Sequence, residues 1–124
     1  MHEKRYIKNL WPKIDNREYP YFDIVLEIIE ILQEAAKINL ERYSDSKSVI
    51  YRTITLFELG KRLKNIEIEK STRGISRIAR TFFIKKKIDY IPLHGGSSVR
   101  YHIKYTHKKL MDLEDWAVCK YLHS

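Results

Sequence analysis

The sequence predicts an α+β fold in which helices enclose one short strand and one β-hairpin. Three observations carry this. Phe22, Val25, Ile29, Leu32 and Ala36 recur at helical spacing. The run Val49-Ile50-Tyr51-Arg52-Thr53-Ile54 is short and β-branched. Apolar and polar residues alternate on both sides of Gly95-Gly96-Ser97-Ser98, where a turn is expected.

Taken in order, residues 1–19 are polar and aromatic, with Pro12, and read as an arm. A helix is expected from Tyr21 to about Leu40, with Pro20 suited to its first turn. Ile24, Ile28, Ile31, Ala35 and Ile38 form a second apolar stripe beside the first, more than one core face needs. Either the C-terminal helix or a second subunit would cover it. Ser44 to Ser48 form a polar break. After the short strand, Thr55 and Glu58 have the spacing of a capping box. A helix through about Lys64 follows, burying Leu56, Leu59 and Leu63, with Gly60 placed to let another helix approach.

The turn Asn65–Glu69 leads to a helix from about Lys70 or Ser71 to Lys86. Ile75, Ile78, Ala79 and Phe82 share its apolar face, and Arg73, Ser76, Arg77 and Arg80 share the other. Gly74 inside it would cost about 1 kcal/mol against alanine. The hairpin spans 88–105. An even loop would pair His94 with Val99 and leave Ile91 and Leu93 opposite Arg100 and His102. A three-residue loop pairs His94 with Ser98 and puts Ile91, Leu93, Val99, Tyr101 and Ile103 on one face. The odd loop is therefore expected, with Pro92 marking an edge strand. A final helix is expected over 107–122, with Leu110, Leu113, Ala117 and Tyr121 as its stripe and Trp116 beside it.

Charge is unevenly placed. The 124 residues carry a net +8. Residues 1–69 balance at zero, residues 70–109 hold 11 Lys/Arg against Asp89 alone, and residues 110–124 stand at −2. All the excess therefore lies in the segment holding the third helix and the hairpin. That distribution points to an acidic partner more strongly than the total does.

Other chemistries find little support. No apolar run is long enough to span a membrane, and the start Met-His-Glu-Lys-Arg-Tyr lacks the apolar core of a secretory signal. Cys119 is the only cysteine, so no internal disulfide can form and a cytoplasmic setting is expected. The five histidines form no metal-binding motif; His94 and His102 could share a hairpin face, but two ligands make a poor site. Asp112, Glu114 and Asp115 read as helix-dipole partners rather than a catalytic set. No phosphate loop or dinucleotide fingerprint occurs. Neither an enzyme, a metal nor a cofactor is expected. The Ile, Lys and Glu bias resembles proteins from hot environments or an AT-rich genome.

The order helix, strand, helix, turn, helix, hairpin resembles the winged helix-turn-helix family of DNA-binding proteins, in the manner of small archaeal regulators, cellular or viral. The match begins at Thr55-Leu56-Phe57-Glu58-Leu59-Gly60-Lys61-Arg62-Leu63, similar to the family's second helix. It continues through Ser71-Thr72-Arg73-Gly74-Ile75-Ser76-Arg77-Ile78-Ala79-Arg80, similar to a recognition helix, and Ile88-Asp89-Tyr90-Ile91, similar to the entry into a wing. It covers roughly residues 22–105. The resemblance implies an extended first helix, a two-strand wing and an added C-terminal helix. The domain would occupy 20–106, with 107–124 packed on it or in a dimer interface.

In that family the third helix, here 71–86, enters the major groove, and the wing, here 89–104, touches backbone or minor groove. Arg73, Arg77 and Arg80 would offer forked donors to guanine. Ser71 and Thr72, at the helix N-terminus, would contact phosphate, Ser76 would contact base or phosphate, and Lys70 and Lys87 would also bind the DNA. On the wing, Gly95, Gly96, Ser97, Ser98, Arg100 and Lys104 would position the duplex. The expected partner is double-stranded DNA, bound sequence-specifically by a transcriptional regulator. A homodimer is expected through helix 21–40 and the C-terminal helix. The alternative is a winged-helix interaction module of a transcription, replication or repair complex.

Overall fold

The computed structural model describes residues 19–44, 47–95 and 98–123. Four helices and a three-stranded antiparallel sheet make up an α+β fold: α1 (Tyr19–Tyr43), β1 (Val49–Thr55), α2 (Leu56–Asn65), α3 (Thr72–Lys85), β2 (Asp89–Gly95), β3 (Ser98–Thr106) and α4 (His107–His123). Each expected element is present. The expected arm, apart from Tyr19, lies outside the described residues.

α1 is the central helix. It lies against α2, α3, α4 and β1. Every residue from Phe22 to Gln33 is buried, so Ile24, Ile28 and Ile31 need no second subunit to cover them. Ala35 is half-buried and Ile38 stays exposed. The stripe that motivated a dimer thus belongs mostly to the core of one chain. α4 supplies Leu110, Leu113 and Ala117 to that core, and Trp116 stacks on Phe22 at 6.2 Å between ring centroids. The Tyr121 side chain lies outside the described residues.

All-round burial takes acidic groups inside with the apolar ones. Glu27, Glu30 and Glu34 follow one another along α1, and Arg62 of α2 reaches all three, at 3.7, 3.4 and 2.7 Å. Burial works against the Arg62 charge, but the Glu34 hydrogen bond and the charges of Glu34, Glu27 and Glu30 outweigh it. Its pKa stands above the ordinary guanidinium value.

Helix ends follow local chemistry. Thr55 caps α2, its hydroxyl accepting from the Glu58 amide at 2.9 Å. The reciprocal half of the expected capping box is replaced: the Glu58 carboxylate takes a two-point bond from Arg52, at 2.6 and 3.1 Å. Ser71 caps α3 by accepting from the Gly74 amide at 3.1 Å. Gly74 therefore lies in the first turn, where a β-carbon would crowd Lys70 and Ser71. A β-carbon on Gly60 would meet nothing within 4 Å, so that glycine serves no close helix approach.

α2 and α3 end in the same motif. After α2, Glu67 donates to the Lys64 carbonyl and Ile68 to that of Leu63. After α3, Lys87 donates to Ile84 and Ile88 to Phe83. These are paired Schellman bonds. Their left-handed residues are Glu67 (φ 62°) and Lys87 (φ 52°), not glycine.

Strand order is β1-β3-β2, so β2 is an edge strand, as Pro92 requires. The register corrects the expected hairpin. Gly95 pairs with Ser98, His94 with Val99 and Leu93 with Arg100. This is the even parity, and Ile91 and Leu93 are exposed. The reason is aromatic packing. Tyr90 has its ring 4.8 Å from Phe83 of α3 and 6.0 Å from Tyr101 of β3, and these contacts take the place assigned to Ile91. Tyr101, Ile103 and Tyr105 face the core, and on the opposite face of the sheet Tyr51, Ile91, Leu93, Arg100, His102 and Lys104 are exposed, with no described element packed over them. No helix among the described residues is long and apolar enough to cross a membrane.

Candidate nucleic-acid interface

α3 presents a basic stripe. Its core side holds Ile75, Ala79, Phe82 and Phe83. Arg73, Arg77 and Arg80, spaced four and three apart, all lie exposed on the other side. Ile84 continues the stripe four residues further and is 67% exposed. Sequence reasoning passed over it, although its spacing of i+11 from Arg73 placed it there. From Arg73 to Arg80 the helix rises about 10 Å, roughly three base-pair steps of duplex DNA at about 3.4 Å each.

The other expected contact residues divide among different roles. Ser71 is exposed, but its hydroxyl already caps the helix. Thr72 is exposed in the first turn, and Lys70 is half-buried against Gly74. Ser76 turns away from the arginines: its hydroxyl meets the Tyr101 hydroxyl at 2.5 Å. Lys87 is exposed at the left-handed position after α3. Its neighbour Lys86 instead holds its ammonium 3.9 Å from the centroid of Trp116.

On the hairpin, Gly95 and Ser98 are the last paired positions; the Ser98 side chain lies outside the described residues, as Gly96 and Ser97 do entirely. Arg100 and Lys104 are exposed, but alternate with Tyr101, Ile103 and Tyr105. They therefore point to the open face of the sheet, away from α3. His102 lies between them, and its Nδ1 is 2.5 Å from the Thr53 hydroxyl. His94 belongs to the opposite face, so the two histidines cannot share a ligand. No metal-binding group of His, Cys, Asp or Glu occurs among the described residues.

The expected residues thus form two basic surfaces, the α3 stripe and the open sheet face. Tyr101 joins them, with its ring 5.4 Å from Phe83 and its hydroxyl on Ser76. A third feature adjoins α3. An open groove between α2 and α3 is lined by Phe57, Lys61, Lys64, Lys70, Ser71 and Thr72 among others. Phe57 is exposed there, with the Lys61 ammonium 5.5 Å from its ring centroid.

Geometry and charge define a class: a small α+β protein that displays a rigidly packed basic helix beside a basic strand. Comparison of the chain with protein-family models, with curated proteins and with solved structures finds no match.

Proposed function

We propose that this protein binds double-stranded DNA sequence-specifically and regulates transcription, as a winged helix-turn-helix with α3 in the major groove. The observation that carries the reading is the alignment of Arg73, Arg77 and Arg80 on the exposed side of a helix whose other side is locked into the core. The major groove, about 12 Å wide, admits one helix of this diameter. Arginine forks there can grip N7 and O6 of guanine, and Ile84 can meet a thymine methyl. The element order and the β1-β3-β2 sheet are compatible with the winged-helix arrangement.

The hairpin's part is narrower than the sequence implied. Arg100 and Lys104 face away from α3, so they serve as backbone contacts at the side of the duplex rather than as part of the α3 stripe. Lys87 and the exposed first-turn residue Thr72 flank the arginines as phosphate contacts.

Fluorescence anisotropy with random-sequence duplex, followed by site selection, tests the reading. A protein neutralising around six phosphates loses roughly a thousandfold in affinity between about 50 and 200 mM salt. Arg77→Ala and Arg80→Ala should lower affinity for the selected site more than for random duplex. No binding at low salt would sink the proposal and favour the interaction-module alternative.

A further inference from the structure

Gly60 stands in the middle of α2, where glycine costs about 1 kcal/mol against alanine. Packing does not require it, because a β-carbon there would meet only open space. That space belongs to the groove between α2 and α3, which holds about 920 Å³. Phe57, Gly60, Lys61 and Lys64 line it from α2, spaced three and four apart on one helix face. Leu63 and Ile75, both buried, line its apolar depth.

The groove is basic on both sides. Lys61 and Lys64 stand on α2, and Lys70 lines it from just before α3. None of the three makes an ion pair among the described residues. Glu69 is the only acid among the lining residues; Glu67, in the same turn, does not line the groove. Phe57 is 72% exposed, with the Lys61 ammonium 5.5 Å from its ring centroid.

Three cations against one acid call for an anionic occupant. The exposed ring beside an empty, apolar floor narrows the choice. An acidic peptide supplies the charge without a flat π surface. A duplex supplies phosphates but keeps its base faces stacked inside. A single strand offers both, a phosphate at every nucleotide and bases free to lie on an aromatic ring.

We propose that this groove binds a single strand of nucleic acid. One unpaired base stacks on Phe57 in the space that Gly60 leaves, and Lys61, Lys64 and Lys70 hold the phosphates on either side. The site is separate from the stripe assigned to duplex DNA, since none of Arg73, Arg77 and Arg80 lines it.

Fluorescence anisotropy of the full chain with labelled single strands at about 50 mM salt tests it. The wild type should bind oligothymidine about tenfold more tightly than an abasic strand of equal length, which has phosphates but no bases. Phe57→Ala should erase that preference. Gly60→Met should fill the groove and weaken oligothymidine binding. Lys64→Gln should lower the slope of log affinity against log salt by about 0.7, the share of one phosphate on a single strand. Lys108→Gln, an exposed lysine at the start of α4, should leave the slope unchanged. Oligouridine run in parallel assigns the source, and tighter binding of either strand, RNA or DNA, supports the site. Phe57 is exposed and a Gly60 β-carbon meets nothing, so these variants keep the fold, which circular dichroism checks. No single-strand binding, or equal binding of abasic and thymidine strands, overturns the proposal. So does binding that survives both Phe57→Ala and Gly60→Met, or that polyglutamate matches.

Discussion

The Ser76 hydroxyl lies 2.5 Å from the Tyr101 hydroxyl and ties the basic helix to the central strand of the sheet. Tyr101 is fully buried and central in β3, so this bond adds to the packing of Ile75, Ala79, Phe82 and Phe83 in setting the rotation of α3 about its own axis. The exposed direction of Arg73, Arg77 and Arg80 follows from that rotation.

Tyr101→Phe and Ser76→Ala should each cost about 1 kcal/mol in urea unfolding, the typical net worth of one hydrogen bond. Because they remove the same bond, the double variant should cost clearly less than the sum. Additive losses would show that the hydroxyls act independently. A large loss of DNA affinity in Ser76→Ala, absent in Tyr101→Phe, would show Ser76 to be a DNA contact after all.

Arg62→Met should destabilise the protein by about 3 kcal/mol, the low end for breaking a buried pair. The low end applies because the Arg62 side chain keeps 22% of its exposure. Glu27 and Glu30, both largely buried, would lose this counter-charge. Part of the loss should be recovered in acid, where protonated carboxyls no longer call for a cation. Urea titrations at neutral and acid pH measure both effects.

Glu67→Gly should raise stability by about 1 kcal/mol. Its left-handed backbone strains any residue with a β-carbon, and glycine removes that strain at the end of α2. Thermal unfolding checks the sign. An unchanged or lower midpoint would mean that the Glu67 side chain contributes something the backbone does not show.

Alkaline pH should weaken the fold through Tyr105. Its buried hydroxyl donates to the Leu32 carbonyl at 2.6 Å. Burial raises its pKa above the ordinary 10.0, against the opposing charge of Arg52. The folded state thus keeps a proton that the unfolded chain releases. Stability from this group is complete below about pH 10 and falls above it by about 1.4 kcal/mol per pH unit until the folded hydroxyl titrates. Tyr105→Phe should cost about 1 kcal/mol at neutral pH, and its deficit should shrink above pH 10. A gap that stays constant with pH would refute the assignment.

Much of the secondary structure is legible in the chain because it is written in short-range periodicity. The apolar spacing of α1 and α3, the β-branched run of β1 and the Thr55 cap each depend on residues within a turn or two of one another. The exposed arginine stripe is legible for the same reason: spacings of four and three place side chains on one face of any helix. The ends of α2 and α3 are harder to read, since Glu67 and Lys87 take the conformation that glycine usually signals.

What the amino-acid sequence determined by itself is the order of elements and the concentration of basic residues on α3 and the hairpin. The tertiary structure alone decided how those residues divide. Hairpin parity turned on whether Tyr90 or Ile91 would find partners, and that depended on Phe83 and Tyr101 arriving from two other elements. This choice sent Ile91 and Leu93 to the open face beside Arg100 and His102 and turned Tyr90 inward onto Phe83. Likewise, Arg62 meets glutamates 28 to 35 positions away only because α1 and α2 pack together. A local pattern sets which face of an element is apolar, but packing between elements decides what covers that face and what remains exposed.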